Sequence, residues 1–255
     1  LTKPEREEKR IVEMMLDATQ KFEQPLTEER LCGWHAALFP SGRSGMQRIA
    51  VGTWRTDEYG PMQVVSGHLG KERVHFQAPK ATRLADEMKQ FLDWFNLSSD
   101  TDPVLKSAVA HLWFLTIHPF DDGNGRVARA IAEMALSRAD GSKDRFYSMS
   151  TGIEVERKEY YLQLESTQRG SLDITSWLAW FLGCLDRAIG ASDVMLVLVM
   201  RKARLWQQIN IKPVNQRQRM LLNRMLENDW KGHLTTSKYA LLTKCSQDTA
   251  LNDIK

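Results

Sequence analysis

The stretch HPFDDGNGRVAR, residues 118–129, decides the fold, because it joins two strongly apolar helical patterns across a few residues. Before it, apolar side chains recur every three to four residues over 104–117, and Pro119 ends that pattern. After it, a second apolar pattern begins near Asn124 and continues as far as Gly141. Helices that are apolar nearly all round are buried. The stretch therefore predicts a tight loop between two core helices.

The second half of this loop has the composition of a phosphate cradle. Gly123 and Gly125 allow a tight turn and close approach of the backbone to a ligand. The following helix starts with unpaired N–H groups and a partial positive charge, which together favour anions. Arg126 and Arg129 are three residues apart, so they share a helix face and can clamp phosphate oxygens.

The first half of the loop offers acid–base and metal chemistry. Asp122 supplies a hard carboxylate oxygen of the type that Mg²⁺ prefers, and the ring of His118 can accept a proton from a hydroxyl. Phe120 is interpreted as a core anchor that fixes the loop. Each residue alone has an ordinary structural explanation, but their occurrence within one short loop favours a nucleotide site.

This segment resembles the signature of the Fic family, H-x-F-x-[D/E]-G-N-G-R-x-x-R, at every specified position. Gly52-Thr53-Trp54-Arg55 is similar to the G-x-x-R stretch that precedes the family's hairpin. The run 74–79 lies where the family has its target-docking flap, and Tyr160-Tyr161-x-x-Leu164 resembles the helix after the active site. The likeness covers about residues 1–200. It implies a mainly α fold, a helical bundle with a small β-hairpin flap.

The resemblance also implies a protein adenylyltransferase that uses ATP and Mg²⁺. His118 would deprotonate a Ser, Thr or Tyr hydroxyl of a target protein, which would attack the α-phosphorus and release pyrophosphate. Asp122 would bind Mg²⁺. The phosphates would be held by backbone and side-chain donors of Gly123, Asn124 and Gly125, together with Arg126 and Arg129. The flap would dock the target by strand addition through Val74, His75 and Phe76.

Many Fic proteins carry an inhibitory helix with the pattern [S/T]-x-x-x-E-[G/N], whose Glu pairs with the second arginine of the signature, here Arg129. The run Thr19–Gln24 matches this pattern except at its last position, and we interpret it as a chance match. The chain starts with Leu1 and stops at Lys255 inside a helical pattern. We therefore expect a fragment whose inhibitory helix lies upstream.

The predicted domains are 1–208, with N-terminal helices over 1–39, a hairpin region over 40–79 and a core over 80–208, followed by a second domain over 209–255. Predicted strands are 62–65 and 74–76. Predicted helices are 4–22, one starting at Glu28, 82–95, 103–117, one from Asn124 to Gly141, 154–167, 174–189, 193–208, 215–226, 236–242 and 246–254.

The last two of these helices flank a short turn, which predicts a small C-terminal winged helix-turn-helix domain. Residues 201–255 contain 11 Lys and Arg against 4 Asp and Glu, a net charge of +7 within a chain of net charge +3. Such a distribution is typical of a nucleic-acid-binding appendage and equally of a solvated basic helix face. Lys238, Lys244 and Gln247 are the candidate DNA contacts, although winged helices also dock proteins.

The composition, 42% hydrophobic and 26% charged residues, indicates a globular protein without a membrane span. Three scattered cysteines favour a reducing cytoplasm with inert thiols over a disulfide framework or a zinc site. A homodimer is possible. Two alternatives to AMP transfer stay open: a nucleotide-sensing, DNA-binding regulator with little transferase activity, and Fic-type transfer of another phosphate-containing group.

Overall fold

The computed structural model describes residues 3–58, 60–67, 71–97, 100–209, 214–226, 230 and 232–255. Side chains are described from residue 8 onward. The helices are α1 (Lys3–Gln20), α2 (Glu28–Leu38), α3 (Leu84–Asn96), α4 (Pro103–Ile117), α5 (Asn124–Asp140), α6 (Met149–Val155), α7 (Arg157–Arg169), α8 (Thr175–Ile209), α9 (Gln216–Met225), α10 (Thr236–Thr243) and α11 (Gln247–Ile254). A 3₁₀ turn, Ala81–Arg83, leads into α3.

The strands form two separate antiparallel hairpins. One pairs β1 (Arg43–Ser44) with β2 (Gln47–Arg48), and the other pairs β3 (Gln63–Ser66) with β4 (Arg73–Gln77). The second corresponds to the predicted hairpin. The first was not predicted, because two-residue strands leave no alternating pattern. The predicted mainly α fold is confirmed.

Local sequence signals explain where several helices begin and end. The side chain of Thr27 accepts a hydrogen bond from the backbone N–H of Arg30 and caps α2. Asp102 caps α4 in the same way, with Pro103 in the first turn. Gly141 ends α5 in the left-handed conformation.

Two helix predictions were wrong. The predicted helix 154–167 is two helices, α6 and α7, which meet at Glu156, and the capping side chain of Ser148 starts the first of them. The predicted helices 174–189 and 193–208 are the single helix α8. Gly190 lies between the two predicted ranges, but one glycine costs a helix only about 1 kcal/mol, so it does not force an end.

The chain divides into two compact units, Leu1–Ser192 and Asp193–Lys255. In the first, α4 and α5 pack against each other at the centre, with α1 against α5 and α3 against α4. Its buried core extends from Met14 to Leu185. In the second unit, a small core of Leu221, Tyr239 and Ala250 joins α9, α10 and α11. The functional division into 1–208 and 209–255 stays a prediction.

Within the part of the chain that the structure describes, no helix has both the length and the apolar character needed to cross a bilayer. The three cysteines are free. Burial raises the pKa of Cys32 and of Cys184 to about 11, which keeps both thiols protonated and unreactive at neutral pH.

Candidate active site

His118 ends α4 in a left-handed backbone conformation, with φ 52° and ψ 59°. Its N–H donates to the carbonyl oxygen of Phe114 at 2.9 Å, and its ring atom Nδ1 lies 3.1 Å from the carbonyl oxygen of Leu115. A carbonyl can only accept, so Nδ1 carries the proton. The lone pair of the neutral ring is therefore on Nε2.

The surroundings of His118 keep its ring neutral. Burial lowers the pKa of His118 to about 4, and the nearby guanidinium of Arg55 acts in the same direction, against the hydrogen bond to Leu115 and the charge of Asp122. At neutral pH the ring is a proton acceptor. This is the state that a general base requires.

Gly123 is the turning point between His118 and α5. Its φ of +83° is in the left-handed region, and an added Cβ would lie 2.8 Å from Cε2 of Phe39, so both backbone and space require glycine here. Its carbonyl oxygen accepts from Arg126 and Val127, each at 3.0 Å. The next two backbone N–H groups, of Asn124 and Gly125, have no hydrogen-bond partner among the described residues. The start of α5 is therefore an uncapped helix N-terminus, a position that favours anions.

The side chain of Asn124 has a different role from the predicted one. It is buried, its Nδ2 donates to the carbonyl oxygen of Phe120 at 2.7 Å, and its Oδ1 accepts from the N–H of Phe120 at 3.0 Å. Both ends of the amide therefore brace the loop. The backbone N–H of Asn124 stays without a partner among the described residues.

Arg126 and Arg129 project from the first turns of α5. The guanidinium carbon of Arg126 lies 4.7 Å from the ring centroid of Phe39, and its Nη2 is 3.9 Å from Oδ1 of Asp122. Arg129 is half-buried and makes no hydrogen bond or ion pair with any described residue. Its charge helps burial to lower the pKa of His111 to about 3. The donors of Arg129 are therefore available to a ligand.

Asp122 is the candidate metal ligand. One carboxylate oxygen accepts from the N–H of Gly123 and the other from the hydroxyl of Ser44 on β1, while the side chain stays 44% exposed. The described residues contain no cluster of three or more His, Cys, Asp or Glu side chains that could hold a metal. A lone exposed carboxylate beside an anion site fits Mg²⁺, which commonly binds through one carboxylate, substrate phosphates and water.

A buried histidine on α2 supports the loop, and it was not predicted. The ring of His35 is stacked on Phe120 at 4.1 Å with 2° between the planes. Nδ1 accepts from the N–H of Gly52 at 3.1 Å, so the opposite ring nitrogen, Nε2, donates to the carbonyl oxygen of Asp122 at 3.1 Å. His35 shares a helix face with Leu31, which is the sequence signal that could have revealed its burial.

Arg55, from the stretch similar to the family's G-x-x-R, ties the loop to the flap. Its Nε donates to the carbonyl oxygen of His118 at 2.8 Å, and its Nη2 donates to that of Pro79, just beyond β4, at 2.5 Å. Its side chain is fully buried and paired with Asp57 at 2.9 Å. Within the loop itself, the carboxylate of Asp121 accepts a hydrogen bond from the N–H of Ala50 at 2.8 Å.

Phe120 is fully buried, and its ring also lies 5.0 Å from that of Trp54.

The three predicted flap residues, Val74, His75 and Phe76, lie on β4. The ring of His75 contacts the hydroxyl of Ser66 at 2.5 Å and the carboxylate of Glu165 at 2.6 Å. Val74 is 38% exposed and Phe76 is half-buried.

The candidate DNA contacts lie in the second unit. Lys244 is exposed in the turn between α10 and α11, with φ 52°. The amino group of Lys238 is 4.0 Å from the ring centroid of Trp230, and the side-chain amide of Gln247 donates to Ser237 at 3.2 Å. The three residues stay predictions.

The run Thr19–Gln24, which partly matches the inhibitory pattern, spans the end of α1 and the turn after it. Its Glu23 lines a surface cavity of about 480 Å³ that Arg138 also lines. Arg138 follows Arg129 by nine residues on α5, which is about 13 Å along a helix. Glu23 is therefore beside the far end of α5.

The fold and this site define a helical domain in which a glycine-containing loop places a neutral histidine beside an uncapped helix start. Residues 25–136 match the model of the Fic/DOC family. A relative named protein adenylyltransferase fic-1, from Caenorhabditis elegans, is 29% identical over 129 residues, 50% of this chain and 23% of the relative. The chain thus spans about a quarter of the length of the curated relatives it matches.

Two solved structures have a similar fold. A Fic family protein from Desulfovibrio desulfuricans gives a TM-score of 0.56 at 23% identity, covering 99% of this chain and 68% of that one. A Fic-domain-containing signaling protein from Bacteroides thetaiotaomicron gives 0.55 at 23% identity, covering 73% of this chain and 70% of that one. These similarities confirm the fold.

Proposed function

We propose that the chain is a protein adenylyltransferase, which transfers AMP from ATP to a Ser, Thr or Tyr hydroxyl of another protein. The observation that carries the proposal is a neutral His118 ring, whose Nε2 has no hydrogen-bond partner among the described residues, beside the uncapped start of α5. The names of the Fic/DOC relatives support this activity.

In this reaction the target hydroxyl loses its proton to Nε2 of His118 as its oxygen attacks the α-phosphorus. A P–O bond forms, the bond to the leaving pyrophosphate breaks, and the imidazolium releases its proton in a later step. The ring is held for this task, because the carbonyl oxygen of Leu115 fixes Nδ1–H and Arg55 fixes the carbonyl oxygen of His118. Orientation of this kind contributes a large share of phosphoryl-transfer catalysis.

The phosphates would lie over the start of α5. The N–H groups of Asn124 and Gly125 would donate to them, and Arg126 and Arg129 would balance their charge. Asp122 would hold Mg²⁺, which when bound neutralises negative charge on the triphosphate. The carboxylate is kept in place by Gly123 on one oxygen and by Ser44 on the other.

The direct test is incubation of the chain with α-labelled ATP, Mg²⁺ and a lysate, comparing the native chain with His118→Ala. We expect protein-bound label with the native chain and a loss of about 10²–10⁴-fold in the variant, which is the usual contribution of a general base. His233→Ala, at an exposed position in the second unit, is the control and should label normally. Equal labelling by native chain and His118→Ala would refute the role of His118, and mass analysis of the adduct separates AMP from phosphate transfer.

A second function, DNA binding by the second unit, is favoured by one observation: α10 and α11 are joined by a three-residue turn and packed on α9. Lys244 in that turn is exposed, and residues 201–255 carry a net charge of +7. Retention on duplex DNA should fall steeply between about 50 and 200 mM salt, and Lys244→Ala should weaken it. Retention on DNA that does not change with salt concentration would contradict the proposal.

A cytoplasmic location and a homodimer stay predictions.

A further inference from the structure

The part of α8 that belongs to the second unit contains an apolar segment that packs into neither core. All seven residues of 194–200 are apolar. Among the described residues, the main core takes its last buried side chain from Leu185, and the small cluster around Leu221 includes none from 193–204. A helix surface that is both apolar and exposed is typical of an interface with another molecule.

One face of this segment is symmetric about Val197. Positions three and four residues away on either side share a helix face with the central residue. Val194 and Met200 therefore lie beside Val197, and the three side chains are 63%, 46% and 64% exposed, respectively. Asp193 and Arg201 lie on the same face, one at each end. The face thus has an apolar centre, an acidic end and a basic end.

The two charges of this face are not neutralised within one chain. Asp193 and Arg201 are exposed, and neither forms an ion pair with any described residue. They are eight residues apart, which is about 12 Å along a helix, so they cannot meet on the same helix.

A second copy of the same helix supplies both missing partners when it lies antiparallel. With a two-fold axis at Val197, each Asp193 is opposite an Arg201 of the other copy, and each Val194 is opposite a Met200. Such an interface uses the same surface on both subunits. A parallel copy would instead place like charges opposite each other, which costs binding energy.

The opposite face of the segment lacks this complementarity. Met195 and Val199 are 60% and 56% exposed, so they are also apolar and accessible. The charge on that face is Lys202, and the only acidic residue in 193–209 is Asp193, on the first face. Two copies that met through Met195 and Val199 would gain no opposite charges.

We propose that the chain forms a two-fold symmetric homodimer through α8, in which the face of Val194, Val197 and Met200 packs against the same face of an antiparallel second copy. Asp193 of each copy pairs with Arg201 of the other and fixes the direction and the register. The inference does not depend on the proposed transfer reaction.

The first test is the oligomeric state of the full chain, measured by analytical ultracentrifugation at micromolar concentration. We expect a dimer. Val197→Asp places two carboxylates at the two-fold axis and should raise the dissociation constant about 100-fold or more. Val199→Asp is the matched control on the opposite face and should change it by no more than about threefold.

The second test exchanges the charges. Asp193→Arg gives a chain with two arginines on this face and Arg201→Asp gives one with two aspartates, so each variant alone should dimerise about tenfold or more weakly. An equimolar mixture restores both opposite-charge pairs and should form a heterodimer with nearly native affinity. Far-UV circular dichroism of each variant should match that of the native chain, since both positions are exposed.

A native chain that stays monomeric would overturn the proposal and leave this face to a different partner. Equal dissociation by Val197→Asp and Val199→Asp would contradict the assigned face. A mixture of the two charge variants that stays as weak as each variant alone would contradict the antiparallel arrangement.

Discussion

At the scale of single residues, the account depends on the protonation of His118. Its Nδ1 is 3.1 Å from the carbonyl oxygen of Leu115, and burial lowers the pKa of its ring to about 4. A base works in its neutral form, so the reactive fraction rises as pH increases through the pKa and is constant from well above it to neutrality.

An NMR titration of the His118 ring in the free chain measures this pKa. We expect a midpoint near 4, with the Nδ1–H tautomer above it. Bound phosphates would raise the midpoint, because negative charge favours imidazolium. A midpoint above about 6 in the free chain, where an unperturbed histidine titrates, would contradict the buried environment.

Two glycines of the loop should respond differently to the same change. Gly123→Ala places a methyl group against Phe39 at a positive φ, so the free energy of unfolding should fall by at least about 2 kcal/mol. In Gly125→Ala the added Cβ has no neighbouring atom within 4 Å, so the variant should fold normally. The methyl group would lie where we propose that the phosphate approaches. We expect the affinity of this variant for ATP to fall about tenfold, or about 1.4 kcal/mol. Urea unfolding and ATP titration check both variants, and the reverse pattern would refute the assignment.

His35 tests whether the loop is positioned from outside the motif. His35→Leu removes the donor to the carbonyl oxygen of Asp122 and leaves the N–H of Gly52 unpaired. Groups that orient a metal ligand typically contribute 10–100-fold to metal affinity, so the Mg²⁺ concentration for half-maximal activity should rise about tenfold. His35→Phe keeps the stacking and should behave as His35→Leu does; normal Mg²⁺ dependence in both would show that the contact is only structural.

At the scale of elements, the two ends of α5 have different tasks. Arg129, near the start, is free of described partners, whereas Arg138, in the last turn, donates to the carbonyl oxygens of Phe22 at 2.8 Å and Phe95 at 3.2 Å. Arg138 thus binds carbonyl oxygens of other segments, whereas the donors of Arg129 have no partner among the described residues.

Replacing each arginine by methionine should separate these tasks. Arg138→Met should lower the free energy of unfolding by about 2 kcal/mol or more, because it leaves buried carbonyls unpaired, with ATP affinity unchanged in the folded protein. Arg129→Met should weaken ATP binding by about tenfold or more, with little loss of stability. Thermal melts and ATP titration provide both measurements, and a loss of ATP affinity confined to Arg138→Met would contradict the account.

The elements also show which parts of the fold a sequence can predict. Thr27 and Asp102 cap their helices through side chains whose chemistry is local, so the starts of α2 and α4 follow from sequence. The continuity of α8 through Gly190 does not, since a single glycine changes helix stability too little to decide. The β1–β2 hairpin is set by tertiary contacts such as the hydrogen bond from Ser44 to Asp122.

The candidate site divides in the same way. Its chemical groups are contiguous in the sequence, so His118, Asp122 and the arginines could be named in advance. Their supports come from distant segments: His35 is 87 positions from the Asp122 carbonyl that it contacts, and no local pattern joins them. The inward turn of the Asn124 side chain was missed because a signature does not show which way an amide points.

At the scale of the whole molecule, the two units have separate cores. The last buried residue of the main core is Leu185, and the second unit has its own small cluster. A chain ending at Ser192 should therefore fold cooperatively and still transfer label from α-labelled ATP, while losing retention on DNA. Calorimetry and the labelling assay check this, and a chain that does not melt cooperatively would show that the first unit is not autonomous.

The central claim is that a triphosphate binds over the start of α5, and amide NMR tests it most directly. In a titration of the Mg²⁺-loaded chain with ATP, the resonances of Asn124 and Gly125 should shift strongly and saturate, because their N–H groups gain phosphate acceptors. The shifts should persist in His118→Ala and weaken in Arg129→Met. If neither amide moves at millimolar ATP, no nucleotide occupies the loop and the account is wrong.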